Sequence, residues 1–256
     1  VQPVTAKEVF DCLCSLAPLS LAQNWDNPGL LVEADTPVTD ILTALDITER
    51  TVQEAADKNC QLIVAHHPVI FKPLKSVQYN NVIYEMIVQK LSGICMHTNL
   101  DCAAGGTGDV LSELMQLSEV KPFAVGDAQQ LGRVGVLPQP ISCADLAVKI
   151  SDALHGPVKF CGESSGTVQR LAVITGSAGE CWREAQAAGA DALLTGEISY
   201  HHALDAAAAG FVVFAAGHYA TEAPIAGQLA RQLHRAYPQL RVTVSETMQD
   251  VFSYLI

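Results

Sequence analysis

Two histidines stand side by side at His66 and His67, directly after the apolar run Leu62-Ile-Val-Ala65 and directly before Pro68. A run of that length is too short for a helix and reads as a buried strand, and the proline keeps it from continuing. Ligands of open α/β sheets gather beyond such strand ends. Neutral imidazole is the commonest nitrogen ligand for transition metals, so the pair predicts a metal anchor. The same rule collects other groups. His97 and Asp101 follow the run Ile94-Cys-Met96, Glu197, His201 and His202 follow Ala192-Leu-Leu194, and His218 and Glu222 follow Phe211-Val-Val-Phe214. Of the 8 histidines, only His155 and His234 lie away from a predicted strand end, and these two read as surface residues.

Spacing narrows the chemistry. His218 and Glu222 are four residues apart at a predicted helix start, so both side chains can leave one helix face. With His66, His67 and Asp101 they form a set of nitrogen and oxygen donors. One ion with an open catalytic position takes about three protein ligands. The larger set suits two divalent ions when one carboxylate bridges them, about 3.5–4 Å apart. Donors without thiolate favour Zn, Fe, Mn, Co or Ni over Ca or Mg. His97, Glu197 and His201 are the candidates for catalytic proton transfer. Each can instead orient a metal ligand, and Glu197 can also cap a helix. The role of His202 stays open, as does any ligand contact by Trp25, which in a turn of this kind reads first as a packing anchor.

The bulk properties suit such a site. Hydrophobic residues make up 49% of the 256, and charged ones only 16%, which fits a well-packed globular protein. The low surface charge points to faces covered in a homo-oligomer. The net charge of −12, without clustered Lys and Arg, argues against a broad nucleic-acid footprint. It accommodates cations, and leaves an anionic substrate to be met by the metals or by a local basic residue; Lys72 and Lys75 offer an anion contact but read first as solvated lysines. The 8 cysteines are scattered without a C-x-x-C pair, which excludes the common structural-zinc spacing and fits a reducing, cytoplasmic setting. The opening residues carry no signal-peptide run and no apolar stretch is long enough to span a membrane, so no membrane association is expected.

The elements that must position these residues alternate. Thr5 with Glu8 predicts a capped helix start. Strands are expected at 30–32, 41–45, 62–65, 94–96, 134–137, 171–174, 192–194, 211–214 and 241–244. Helices are expected at about 48–60, 81–91, 142–154, 180–188 and 203–209, with others ending near 114 and 236, and Gly93 reads as punctuation between a helix and a strand. Pro122–Gln130 reads as a linker. The turn Thr175-Gly-Ser-Ala-Gly179 is a candidate phosphate cradle. The segments 54–66 and 184–197 look like copies of one pattern. The expected fold class is α/β: two intertwined, duplicated units with mixed, mostly parallel sheets. The first unit is expected over 1–127 plus 240–256 and the second over 128–239.

The strings His66-His-Pro, His97-Thr-Asn-Leu-Asp101, Thr195-Gly-Glu197 and Gly217-His-Tyr-Ala-Thr-Glu222 resemble the NIF-three family, whose members are often described as type-two GTP cyclohydrolase homologues. The resemblance runs from Trp25-Asp-Asn-Pro-Gly-Leu30 to the last strand and lacks a large insert. It implies a dinuclear metal site of His66, His67, Asp101, His218 and Glu222, with Glu222 bridging. His67 and Asp101 would then hold one ion, and His66 and His218 the other. It implies a ring-shaped homohexamer. It also implies a metal-dependent hydrolase acting on a nucleotide-like or phosphorylated small molecule, with GTP ring opening as the named reaction. The alternative is a non-enzymatic metal-binding or regulatory protein acting through its assembly. A third reading is a structural dimetal site without an open position.

Overall fold

A computed structural model describes residues 2–163 and 166–254; Val1, Ser164, Ser165 and the last two residues lie outside that description. In chain order the elements are α1 (Ala6–Leu16), β1 (Gly29–Val32), β2 (Asp40–Ala44), α2 (Glu49–Asp57), β3 (Leu62–Ala65), α3 (Val82–Val88), β4 (Ser92–Cys95) and α4 (Thr98–Cys102). There follow α5 (Thr107–Leu114), β5 (Ser118–Val125), β6 (Ala128–Ser142), α6 (Cys143–Leu154), β7 (Lys159–Cys161), β8 (Thr167–Val173), α7 (Trp182–Ala187) and β9 (Ala192–Thr195). The chain closes with α8 (Tyr200–Ala208), β10 (Val212–Ala215), α9 (His218–Glu222), α10 (Pro224–Ala236) and β11 (Arg241–Val244). Two compact units result: Val1–Ala104 with Ile225–Gln249, and Gly105–Pro224 with Asp250–Ile256. The chain leaves the first unit, builds the second and returns, so the expected α/β class is observed, with one mixed sheet in each unit.

The first unit carries a sheet in the order β1-β4-β3-β2-β11. β4, β3, β2 and β11 run parallel, and β1 closes one edge antiparallel. Every residue of β3 and β4 is buried, as parallel strands covered on both faces require. One face packs Leu42, Ile63 and Ala65 against Val52 and Ala55 of α2 and Ile83 and Met86 of α3. Gly93 does not punctuate. It lies inside β4, where a Cβ would stand 2.6 Å from Met86 Cε, so its missing side chain lets α3 close on the sheet. The helix start at Thr5 is a full capping box with Glu8. α10 packs in this unit, where Thr43 Oγ1 donates to the Ala226 carbonyl at 2.9 Å.

The second unit carries a sheet in the order β5-β6-β8-β9-β10-β7. Its centre, β8-β9-β10, is parallel, and its flanks are antiparallel. Pro122–Gln130 is not a linker. β5 and β6 form a hairpin there, with Phe123 opposite Gly132, whose bare Cα leaves room for the phenylalanine ring. Pro122 is tolerated because β5 is an edge strand, and Gly126, at φ 53°, makes the turn. The division expected at 127/128 falls in this hairpin, and both its strands lie in the second unit. Among the described residues, no helix is long and apolar enough to cross a membrane.

Candidate metal centre

In the first unit, β3 and β4 end side by side and deliver three imidazoles. The His66 and His67 amides still donate to the Ala44 and Leu45 carbonyls, at 3.3 and 2.9 Å, so the chain stays tied to the β2 side as it bends away from β3. His97 stands at the N-cap of α4. Ring centroids lie 5.1 Å apart for His66–His67, 5.2 Å for His66–His97 and 5.6 Å for His67–His97. One nitrogen from each ring lies within 4.8 Å of the others, so this group could hold a metal ion. Asp101 of α4 adds a carboxylate, its Oδ1 3.5 Å from His66 Nε2. Both residues are buried.

The other ring nitrogens are engaged by oxygen. Nδ1 of His66 donates to the Met96 carbonyl at 2.8 Å, that of His67 to Asp46 Oδ1 at 2.8 Å and that of His97 to Asp26 Oδ1 at 2.7 Å. An oxygen acceptor on Nδ1 places the proton there and leaves Nε2 as the ligating atom, the usual arrangement behind a metal-binding histidine. Asp26 can serve because it stays ionised. Burial opposes its charge, but hydrogen bonds from His97 and Thr98 outweigh burial and hold its carboxyl at about 2. Cys95 also lies here and donates to the His66 carbonyl at 3.0 Å. Burial, then the Asp26 and Asp101 carboxylates, push its thiol well above the ordinary range, which disfavours a thiolate.

In the second unit, Gly217 turns the chain at φ 95° after β10 and starts α9. A positive φ of this size favours glycine. His218 opens the helix and Glu222 closes it, with His218 Nε2 3.0 Å from Glu222 Oε2. Glu197, just past β9, takes the Nδ1 hydrogen of His218 at 3.1 Å. Glu222 is only 5% exposed. The turn after β8 wraps it: Gly176 has φ 66°, and any Cβ there would run into Glu222 Oε1 and approach His218 Cε1 at 3.4 Å. The expected phosphate cradle therefore serves another purpose. The Gly176 amide donates to Thr221 Oγ1 at 3.2 Å and the Gly179 amide to the Glu197 carbonyl at 2.9 Å, so these groups brace the His218–Glu222 helix and its partner.

Of the proton-transfer candidates, His97 joins the imidazole cluster and Glu197 orients His218. His201 stands exposed on the first turn of α8, edge-on to Tyr200. His202 shares the capping hydroxyl of Ser199. Sequence reasoning missed Asp26 and Asp46 as histidine partners. Asp46 was open to discovery, since it lies just past β2, the strand beside β3. Asp26 lies in an irregular turn 71 residues from His97 and gave no such signal.

Comparison with known proteins bears on these observations. A family model described as Duf34/NIF3 (NGG1p interacting factor 3) matches residues 4–251. A Clostridium acetobutylicum protein named GTP cyclohydrolase 1 type 2 homolog is 28% identical, over 97% of this chain and 98% of its own. A Streptomyces coelicolor protein of the same name is 31% identical, over 95% and 92%. The crystal structure of the Staphylococcus aureus hypothetical protein SA1388 is similar at a TM-score of 0.92 and 28% identity, over 99% of this chain and 100% of that one. A Bacillus cereus protein related to NIF3 shares the fold at a TM-score of 0.93 and 21% identity, over the full length of both.

Proposed function

Since the chain belongs to the Duf34/NIF3 family, we propose that it is a dinuclear metal-binding protein working as a metal-dependent hydrolase on an anionic, nucleotide-like or phosphorylated small molecule. His66, His67, Asp101, His218 and Glu222 hold two divalent ions, drawn from Zn, Fe, Mn, Co or Ni. The observation that carries this reading is the repeated hydrogen-bond pattern. His66, His67, His97 and His218 all give Nδ1 to an oxygen, which leaves Nε2 as the donor. The donor set fits the ions named, because it offers imidazole and carboxylate without thiolate.

Bound ions of this kind lower the pKa of a water towards neutrality and polarise a substrate oxygen. The chain's own residues do the rest. Asp46, Asp26 and Glu197 fix the tautomer and aim of His67, His97 and His218. His97 and Glu197 pass protons to and from the reacting groups, with His201 as the outer candidate. The name of the relatives, GTP cyclohydrolase 1 type 2 homolog, supplies GTP as the first substrate to try.

The test is turnover of GTP, phosphodiesters and phosphomonoesters by metal-loaded protein, beside Asp101→Ala and Glu222→Ala. Activity above those variants and about two ions per chain are expected; full metal loading with no turnover returns the protein to a binding or regulatory role. That second reading is favoured by the complete burial of His66, which suits a closed ion. A homo-oligomer, as a ring-shaped hexamer, belongs to the same proposal. The exposed Tyr84, Ile87 and Val88 of α3 support it, and a monomer mass by light scattering would refute it. Cysteines free of disulfides support a cytoplasmic setting.

A further inference from the structure

The chain has two tryptophans, and they are treated oppositely. Trp182 is 3% exposed and lies nearly parallel to Phe211, at 6.0 Å and 30°, as a packing anchor does. Trp25 is 61% exposed, yet its turn is fixed on both sides. Asp26 binds His97 and Thr98. Asn27 Nδ2 donates to the Ile70 carbonyl at 2.6 Å, and the Gln23 amide donates to Thr98 Oγ1 at 2.9 Å. A large aromatic group is thus held in place and left in water.

Its ring neighbours are Phe71, at 6.0 Å and 62°, and His97, at 6.2 Å and 76°. Both contacts are edge-to-face, so neither neighbour covers the indole by stacking flat upon it. Phe71 is itself 45% exposed. Through His97 the indole borders the imidazole cluster directly. Lys72 and Lys75 follow Phe71 in a segment exposed from 71 to 80, two positive residues close in sequence to the ring on a chain of net charge −12.

We propose that Trp25 and Phe71 form a stacking subsite for the planar heteroaromatic ring of a nucleotide, with Lys72 and Lys75 meeting its phosphate. The subsite's place in catalysis rests on the hydrolase reading given above; the binding itself does not. Base–aromatic stacking tolerates any base, because every base has a π-face, and truncating the aromatic side chain weakens binding roughly five- to hundredfold. An exposed pair that leaves ring surface open, rather than a sealed slot, matches that chemistry.

Calorimetric titration of the full chain with GMP and with ribose 5-phosphate tests this directly. GMP is expected to bind roughly five- to hundredfold more tightly. Trp25→Ala should abolish that gap, Trp25→Phe should keep most of it, and Phe71→Ala should narrow it. Lys72→Ala with Lys75→Ala should weaken both probes alike. Equal binding of the two probes, or a gap that survives Trp25→Ala, overturns the proposal. Metal content is measured on the same samples and titrations are repeated after chelation. A GMP preference in protein that purifies without metal upholds the subsite and sinks the dinuclear reading, and one that survives chelation upholds the subsite alone. Bound metal without a preference does the reverse.

Discussion

β3 and β9 end at the same level of their sheets, at Ala65 and Thr195. In both units the chain just past the neighbouring strand bonds back to that last carbonyl: Met96 N to Ala65 O and Ala216 N to Thr195 O, each at 3.0 Å. The next residues differ. The first unit places His66 and His67 past β3 and His97 past β4, where the second places Gly196 and Glu197 past β9 and Gly217 past β10. Gly217, at φ 95°, frees the second unit's backbone to turn, Gly196 leaves room for the Gly176 carbonyl and for His218, and the donors move into α9 as His218 and Glu222. His67 and Glu197 thus occupy matching positions with opposite duties, one a candidate ligand and the other the acceptor that aims one. A single strand-end geometry has been loaded in one unit with three imidazoles and in the other with two glycines and one carboxylate.

This inequality predicts unequal dependence on the two halves, and here the largest effect is expected. The first unit has three imidazoles and Asp101, enough for one ion, which needs about three protein ligands. The second offers His218 and Glu222. His218→Ala combined with Glu222→Ala should retain about one ion per chain, and His66→Ala combined with His67→Ala should retain less. Both should lower turnover at least about a hundredfold. Elemental analysis after gel filtration decides it. Equal loss of both ions from either pair would show that neither half binds alone.

Acid should also tell the units apart. Glu8, Asp26 and Glu54 are carboxyls held below their ordinary range, and these three belong to the first unit. Glu54 is buried and accepts from Lys58 Nζ at 2.8 Å, from Ser245 Oγ at 2.5 Å, and from Glu246 N and Thr247 Oγ1 at 2.9 and 2.8 Å. It therefore ties α2 to the chain leaving β11. Burial opposes its ionisation, but these donors outweigh burial and lower its pKa from 4.5 to about 2. Its contribution, on the order of 3 kcal/mol, is present above pH 4.5 and drains away as pH falls towards 2. Glu54→Gln should remove most of it at pH 7 and flatten the urea midpoint across that window. Amide exchange at pH 3 should rise in β2 and β11 before β9 and β10; the opposite order would mean that Glu54 does not govern acid stability.

The sheets were legible where short apolar runs such as Leu62–Ala65 stood between a capped helix and a polar cluster, because burial on both faces imposes that pattern. The cap at Thr5 marked a helix start for an equally local reason, and the helices expected from about 48, 81 and 142 begin at caps as well, Thr48, Asn81 and Ser142. The β5–β6 hairpin was hidden because an edge strand exposed to water keeps its polar residues and can carry Pro122, and so imitates a linker. Gly93 misled because its cause, the Met86 side chain, comes from another element. Strand-end positions for the donors were readable from spacing. The acceptors behind them were not, since Asp46 and Asp26 meet their histidines across 21 and 71 residues of sequence.

Those acceptors allow a finer comparison. Asp46 behind His67 and Glu197 behind His218 have similarly exposed side chains, 49% and 48%. Removing either as Asp46→Ala or Glu197→Ala should weaken metal binding by about 10- to 100-fold. Asp46→Asn should cost less, because an amide oxygen still accepts from Nδ1. Competition against a chelating dye measures each constant. Equal losses would mean that the two histidines carry equal shares; no loss in either would mean that the bonds only shape the apo protein.

The smallest effect concerns the caps just beyond these carboxylates. Thr48 caps α2 two residues after Asp46, and Ser199 caps α8 two residues after Glu197. Thr48→Ala and Ser199→Ala should each lower stability by about 1 kcal/mol, read from urea midpoints. Their reach differs. Thr48 Oγ1 accepts from the Thr51 amide, and Thr51 Oγ1 donates to the Asp46 carbonyl at 3.1 Å, so the first cap belongs to the chain of contacts that seats Asp46 behind His67. Ser199 spends its hydroxyl on the amide and ring of His202, which leads away from His218. Thr48→Ala should therefore also loosen metal binding by a few-fold, while Ser199→Ala leaves it unchanged. If the two variants lose metal affinity equally, the seating of Asp46 does not depend on α2, and the first unit's advantage lies in its donors alone.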